Sequence, residues 1–351
     1  MLLYIHIPFC DSKCHYCAFN SYVDKFDLKE SYMEALCINL EYELKRFHAQ
    51  DNSIESVFIG GGTPSTISPK LYAKIFDIFG RYLQNNAEIT IEANPNSATK
   101  EWLLGMYRLG ANRISFGVQS FDTKKLKLLN RSHSPKMAAD AIQNASEVGF
   151  CNISMDIIYG VHTDTKELLK NDLKTAFLLP INHLSAYSLT IEPDTPFAKT
   201  PQMADEKLKE TKWLFNEIEA RGFKQYEISN FGSYQSIHNL GYWQYKDYIG
   251  VGSGAVGKKA NKRFYPQTSV EKYIKNPLEI SQEELSKEDM AIEKIFLGFR
   301  SKIGVDADLL TKKELSRADI LLKEGKLTLK NTTFYNTDYL LADEIALFLS
   351  S

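Results

Sequence analysis

The sequence predicts an α/β fold: a partial (β/α)6 TIM-like barrel followed by a small C-terminal α+β domain of winged-helix-like order. Three observations predict it. Six short apolar runs are each followed by a stretch with helical periodicity, which by the crossover rule lays the strands parallel. Glycines and isolated polar residues recur at one end of those runs. After about residue 285, helical stretches flank a hairpin pattern at residues 325–335. A full barrel takes about eight strand–helix units, so six leave it open on one side.

Taken in order, Leu2-Leu3-Tyr4-Ile5-His6-Ile7 is the first strand. A helix over 28–48 follows, carrying Tyr32, Leu36, Leu40, Leu44 and Phe47 at helical spacing. The second strand, Ser56-Val57-Phe58-Ile59, runs into Gly60-Gly61-Gly62-Thr63, and Ser68-Pro69 opens the next helix with Ser as N-cap and Pro at its first position. Strands three to six are Glu88–Glu92, Arg113–Val118, Ile153–Ile158 and His183–Leu189, with helices expected near 99–108, 122–129, 135–148 and 165–178. After Pro196 the alternation breaks. Pro201 and a charged helix near 205–221 suggest a connection leading away from the barrel. A strand-like Gln225-Tyr226-Glu227-Ile228 then precedes an aromatic segment, and the last helix covers 338–349. The expected organisation is 1–200 for the barrel, 201–280 for a barrel-flanking segment and 281–351 for the C-terminal domain.

Composition narrows the function classes. The 351 residues suffice for one large and one smaller domain, and 44% hydrophobic with 25% charged content is ordinary for a globular protein. A formal net charge of −2 offers no electrostatic footprint for nucleic acid. No apolar run approaches the roughly 20 residues of a membrane span. The N-terminus has no basic region followed by a long apolar one, so no signal peptide is expected. Five cysteines, three of them clustered, suit a reducing cytoplasm, with Cys37 and Cys151 expected as small buried hydrophobes.

Those three are Cys10, Cys14 and Cys17, directly after the first strand. Spacings of three and two residues let one loop curl three thiolates around an iron–sulfur centre, leaving a fourth corner open to a small ligand. A structural zinc site would want four closed ligands; His6 or His15 could supply one, but a second Cys/His pair at finger-like distance is missing. An odd cysteine count gives no disulfide framework.

Gly60 to Thr63, Glu92, Gln119 and Asp156 fall at or just past the carboxyl ends of strands two to five, the edge where barrels build their sites. The glycines, Glu92 and the nearby Arg131 also have plainer readings. A glycine triplet is often only a turn, Glu92 can reach solvent at a strand tip, and Arg131 can be a solvated helix-end charge. His238-Asn239-Leu240-Gly241-Tyr242-Trp243 combines an imidazole with flat apolar rings, which suits haem, or else a hydrogen-bonded structural histidine among core aromatics. Gly252-x-Gly254-x-x-Gly257 comes too late, and is followed by Lys258-Lys259, to be a dinucleotide fingerprint; close backbone packing fits it better.

Cys10-x-x-x-Cys14-x-x-Cys17, with Tyr16 before the last cysteine, resembles the motif of radical S-adenosylmethionine (SAM) enzymes. Tyr4-Ile5-His6-Ile7-Pro8-Phe9 and Cys17-Ala18-Phe19 are similar to the branch of oxygen-independent coproporphyrinogen III oxidases and their haem-chaperone relatives. The resemblance implies a 4Fe–4S cluster on the three cysteines, its open iron chelated by SAM, and reductive cleavage of SAM to a 5′-deoxyadenosyl radical. It also implies SAM contacts at Tyr4, Tyr16, Gly61, Gly62, Thr63, Glu92, Gln119, Arg131 and Asp156. Within the family, H-N-x-x-Y-W resembles the haem-chaperone branch. The oxidases carry a further cysteine where Phe19 stands, and an N-terminal extension where this chain begins at its first strand. The family often has a histidine at Val256, a departure that leaves the role of that glycine segment open. The resemblance therefore implies a cytoplasmic haem chaperone with His238, Asn239, Tyr242 and Trp243 as haem-binding candidates. Haem would be its cargo, with a haem-accepting protein such as a respiratory enzyme, an electron donor and a second copy of the chain as partners. The alternative is the oxidase reaction itself, oxidative decarboxylation of two propionates.

Overall fold

The computed structural model describes residues 1–350. Its strand–helix alternation runs β1 (Leu2–Ile7), α1 (Lys29–Arg46), β2 (Ile54–Gly61), α2 (Pro69–Gly80), β3 (Leu83–Ala93), α3 (Lys100–Leu109) and β4 (Arg113–Gln119). It continues through α4 (Thr123–Leu128), α5 (Pro135–Val148), β5 (Asn152–Tyr159), α6 (Lys166–Ala176) and β6 (His183–Ser188). These six strands pair parallel in chain order. They are apolar runs because both faces are covered; Leu3, Ile5 and Ile7 of β1 join Leu36, Leu40 and Ile59 in one core. The side chains of Thr99, Ser134 and Thr165 cap α3, α5 and α6 by accepting from backbone N–H groups. Ser68 occupies the N-cap position of α2 as expected, but its hydroxyl makes no capping bond.

The remaining elements change the expected outline. α7 (Leu208–Glu219) does not lead away from the barrel: Leu214, Phe215 and Ile218 pack into the main core. In place of the strand at 225–228 there are two short ones, β7 (Lys224–Gln225) and β8 (Asn230–Gly232), and β8 pairs antiparallel with β6. After α8 (Ile237–Trp243), β9 (Tyr248–Val251) pairs parallel with β1. β10 (Gly257–Lys259), β11 (Lys262–Pro266), α9 (Val270–Lys275) and β12 (Ile280–Glu284) follow, and the three strands extend that edge. The open barrel is thus the centre of a 12-stranded sheet. Gly252 has φ +105, and a Cβ there would lie 2.6 Å from the carbonyl oxygen of His6, the close backbone approach expected of this segment.

The C-terminal unit has its own core. α10 (Lys287–Phe299), β13 (Val305–Asp306), α11 (Lys312–Lys323), β14 (Leu327–Lys330), β15 (Thr333–Asn336) and α12 (Ala342–Ser350) enclose Ile295, Phe299, Leu321, Phe334, Ile345 and Leu349. Its three strands form a separate antiparallel sheet with the expected hairpin, β14–β15. Cys37 is buried, but Cys151 is exposed, because it lies at the turn that connects α5 to β5.

Candidate metal and cofactor site

The cysteine loop leaves β1 and is tied back at both flanks. Cys10 N donates to Tyr22 O at 3.0 Å, Tyr22 N to Pro8 O at 2.7 Å, and His15 N to Leu129 O at 3.3 Å. Cys10 is buried, Cys14 and Cys17 are half-buried, and all three are free thiols. They line a cavity of about 610 Å3 together with Tyr16, Gly61, Gly62, Thr63, Glu92, Gln119, Arg131 and Asp156. Of the expected SAM contacts, Tyr4 alone lies elsewhere; its hydroxyl pairs with His6 Nδ1 at 2.9 Å beside a second cavity.

Each polar wall residue is held by its element. Glu92 Oε2 accepts from Gly61 N at 3.0 Å, linking β3 to β2. Arg131 Nη2 donates to Asn94 Oδ1 (2.7 Å) and Gly117 O (2.6 Å), so it is pinned to β4 rather than solvated. Gln119 ends β4 in the left-handed region, φ 68, where a residue other than glycine is strained. Asp156 lies inside β5 rather than past its end, with Ser115 Oγ at 3.5 Å. The sequence reading missed Asn94, whose Nδ2 donates to Thr63 Oγ1 at 3.1 Å. The two-residue strand period from Glu92 would have placed it on the same face.

Electrostatics follow from burial. Burial, reinforced by Asp156, pushes Glu92 up to about 7, with Gly61 N and Arg113 opposing. Burial likewise pushes Asp156 up to about 6 against Ser185, Arg113 and Arg131. The Cys10 and Cys17 thiols are also raised by burial, so their thiolates need a compensating cation.

The donor set fits an iron–sulfur cluster. Hydrogen-bond donors already reach two sulfurs: Thr63 Oγ1 to Cys10 Sγ at 3.4 Å, and Arg131 Nη1 to Cys14 Sγ at 3.1 Å. Arg131 Nε is buried without a partner. Among the described residues no three His, Cys, Asp or Glu side chains converge on a single ion. Three thiols lining one cavity supply three thiolates, the ligand type of an iron–sulfur cluster.

The aromatic motif occupies α8. His238 is 1% exposed, and burial, helped by Arg113, lowers its pKa to about 3. Its Nδ1 pairs with Ser56 Oγ at 2.9 Å and its Nε2 with Tyr242 OH at 3.1 Å, so neither nitrogen is offered to a ligand in this conformation. Asn239 and Trp243 are half-buried, and Trp243 Nε1 lacks a partner. Of the four, Tyr242 lines the second cavity.

A cysteine-lined cavity at the carboxyl end of an open parallel barrel defines the class of protein. The sequence profile of the Radical SAM superfamily matches residues 4–176. A Bacillus subtilis relative named Heme chaperone HemW is 34% identical over 88% of this chain and 86% of its own length. An Escherichia coli relative of the same name is 40% identical over 73% of this chain and 69% of its own. The chain belongs to the radical SAM superfamily and, within it, to the family of these relatives. The solved structure of the coproporphyrinogen III oxidase HemN from Escherichia coli superposes with a TM-score of 0.83, covering 100% of this chain and 90% of that one at 20% identity. At that identity the likeness is one of fold. A radical SAM domain implies a 4Fe–4S cluster and SAM.

Proposed function

We propose that this protein is a haem chaperone on a radical SAM scaffold, taking haem as cargo and passing it to an acceptor protein. The observation that carries this reading is the 34% identity, across 88% of the chain, with a relative named for that role. Phe19, where the oxidases resembled above place a further cysteine, favours it over coproporphyrinogen oxidation. Cys10, Cys14 and Cys17 would hold the cluster, and Glu92, Gln119, Asp156 and the Gly61–Thr63 backbone would hold SAM. When bound, that pair supplies one-electron cleavage of a carbon–sulfur bond. The chain's own residues do the rest. Thr63 and Arg131 donate to sulfur and stabilise its negative charge. Glu92 and Asp156 place negative charge where a cationic ligand docks. Free thiols at the site suit a reducing compartment such as the cytoplasm. A respiratory haem enzyme as acceptor, an electron donor and a second copy of this chain belong to the same reading.

The test is a haem titration of anaerobically reconstituted protein, run beside an incubation with SAM, a reductant and coproporphyrinogen III. Stoichiometric haem binding without protoporphyrinogen formation is the expected result. Turnover to protoporphyrinogen would move the protein to the oxidase class.

A further inference from the structure

A second cavity, of about 480 Å3, is unassigned by anything above. It lies between the β9–β11 edge of the sheet, α8 and α10, and meets the cysteine-lined cavity at Phe19, which lines both. Its walls include Tyr242, Tyr245 and Tyr248 and the cations Lys246, Lys258 and Arg263. Its size falls within the roughly 300–1,000 Å3 of small-molecule sites.

The two cavities differ in charge. Glu92, Asp156 and Glu192 line the first beside Lys13 and Arg131, a mixed wall whose carboxylates suit a sulfonium cofactor. No acidic side chain is among the residues lining the second. Its three cations are paired, Lys246 with Glu55 (2.6 Å), Lys258 with Asp247 (3.3 Å) and Arg263 with Glu293 (2.6 Å), but those carboxylates stand outside the lining. A wall of phenol rings and basic groups complements a flat, apolar ligand that carries carboxylates.

The H-x-x-x-Y spacing then gains a physical role. Residues four apart share a helix face, and Tyr242 stands edge-on to His238, with ring centroids 4.8 Å apart and planes at 88°. It stands edge-on to Tyr248 as well, at 4.8 Å and 87°. His238 Nε2, bonded to the Tyr242 hydroxyl, fixes that ring from behind.

We infer that this second cavity is the cargo site: it takes a planar tetrapyrrole whose carboxylates meet Arg263, Lys246 and Lys258, with Tyr242 as a contact wall and His238 as a positioning residue. The inference rests on the haem-chaperone reading. It moves binding from the imidazole of His238 to the cavity beside it.

The test titrates the full-length reconstituted protein with haemin, and separately with mesoporphyrin and its dimethyl ester. Val256→Trp and Leu297→Trp fill the cavity from two walls, and either is expected to weaken haemin binding about ten-fold or more. Cluster absorbance and SAM affinity stay at wild-type values in whichever variant folds. Esterification is expected to weaken wild-type binding and to matter less in Arg263→Gln. His238→Gln, which keeps a hydrogen-bonding amide beside the Tyr242 hydroxyl, is expected to retain the wild-type haem spectrum and to bind more tightly than His238→Ala. A changed Soret band in His238→Gln would make His238 the ligand and overturn its positioning role. If wild type binds haemin and both tryptophan variants match it, or if the ester binds as well as the free acid, the cavity assignment falls and the chaperone reading stands. If wild type binds no porphyrin, the chaperone reading fails and this site with it.

Discussion

The Glu88 carboxylate accepts a hydrogen bond from the backbone nitrogen of His238, 3.1 Å away and 150 residues further along the chain. The same carboxylate accepts from Ile237 N (3.0 Å), Ser236 Oγ (3.2 Å) and Tyr234 OH (2.8 Å). One buried anion on β3 therefore satisfies the first-turn donors of α8, where backbone N–H groups have no partner inside the helix. Arg113 Nε approaches that carboxylate at 4.0 Å, and Arg113 Nη1 donates to Thr90 Oγ1 at 3.2 Å. The helix that carries the aromatic motif is fastened to the barrel through this cluster.

Glu88→Ala leaves Arg113 buried without its anion and strips four donors of their acceptor. Breaking one partner of a buried pair costs about 3–5 kcal/mol, so a loss of that order is expected in chemical denaturation. Glu88→Gln keeps an acceptor oxygen and falls between the two. A midpoint for Glu88→Ala equal to wild type would show that the cluster does not fasten α8.

SAM affinity is expected to rise with pH across the window of about 6 to 7. Glu92 and Asp156 have folded pKa values raised to about 7 and about 6, with Arg113 and Arg131 the cations that face them. Carboxyls raised in this way contribute stability that is fully present below their unfolded values and lost as pH rises through the folded ones. A cationic ligand opposes that loss, because it binds the carboxylate forms. Titrations on either side of the window should therefore differ, and Glu92→Gln should flatten the difference. A Glu92→Gln profile as steep as wild type would remove Glu92 from the effect.

Gln119→Gly tests whether strain is kept for function. At φ 68 a glutamine costs on the order of 1 kcal/mol more than a glycine, while Ser120 Oγ and Phe121 N, bonded to Asp172 at 2.8 and 2.6 Å, hold the turn. The variant should melt at the same temperature or higher and bind SAM more weakly. A lower melting temperature with unchanged SAM affinity would make the side chain structural.

How far the chain could be read follows from where each signal resides. β1 to β6 were visible because a strand covered on both faces is a local apolar run, and the cysteine ligands because their spacing is local. β7 to β12 are two to five residues long, and what makes them strands is pairing with distant partners such as β1 and β6. The same reason hid Glu88 and Arg113. Each reads as one residue of a strand, and only the closed barrel sets them against α8. Nothing local in the sequence joins Lys246, Lys258 and Arg263; the fold of the segment from α8 through β11 brings them to one wall.

Gly61 sits between the two cavities, and its substitution should disturb both. It lines the first, while a Cβ built on it would lie 2.4 Å from Cε1 of His6, which lines the second. Its φ of +113 also disfavours any side chain. Gly61→Ala must push the imidazole aside, breaking its bonds to Tyr4 OH (2.9 Å) and Asn20 O (2.8 Å). It also tilts the backbone N–H that Glu92 accepts. A stability loss of about 1–3 kcal/mol is expected, with SAM and porphyrin affinities falling together. Val256→Trp, by contrast, should lower porphyrin affinity alone. Calorimetric titration of both ligands into each variant separates the two patterns; a Gly61→Ala protein that loses only one ligand would mean that His6 does not couple the cavities.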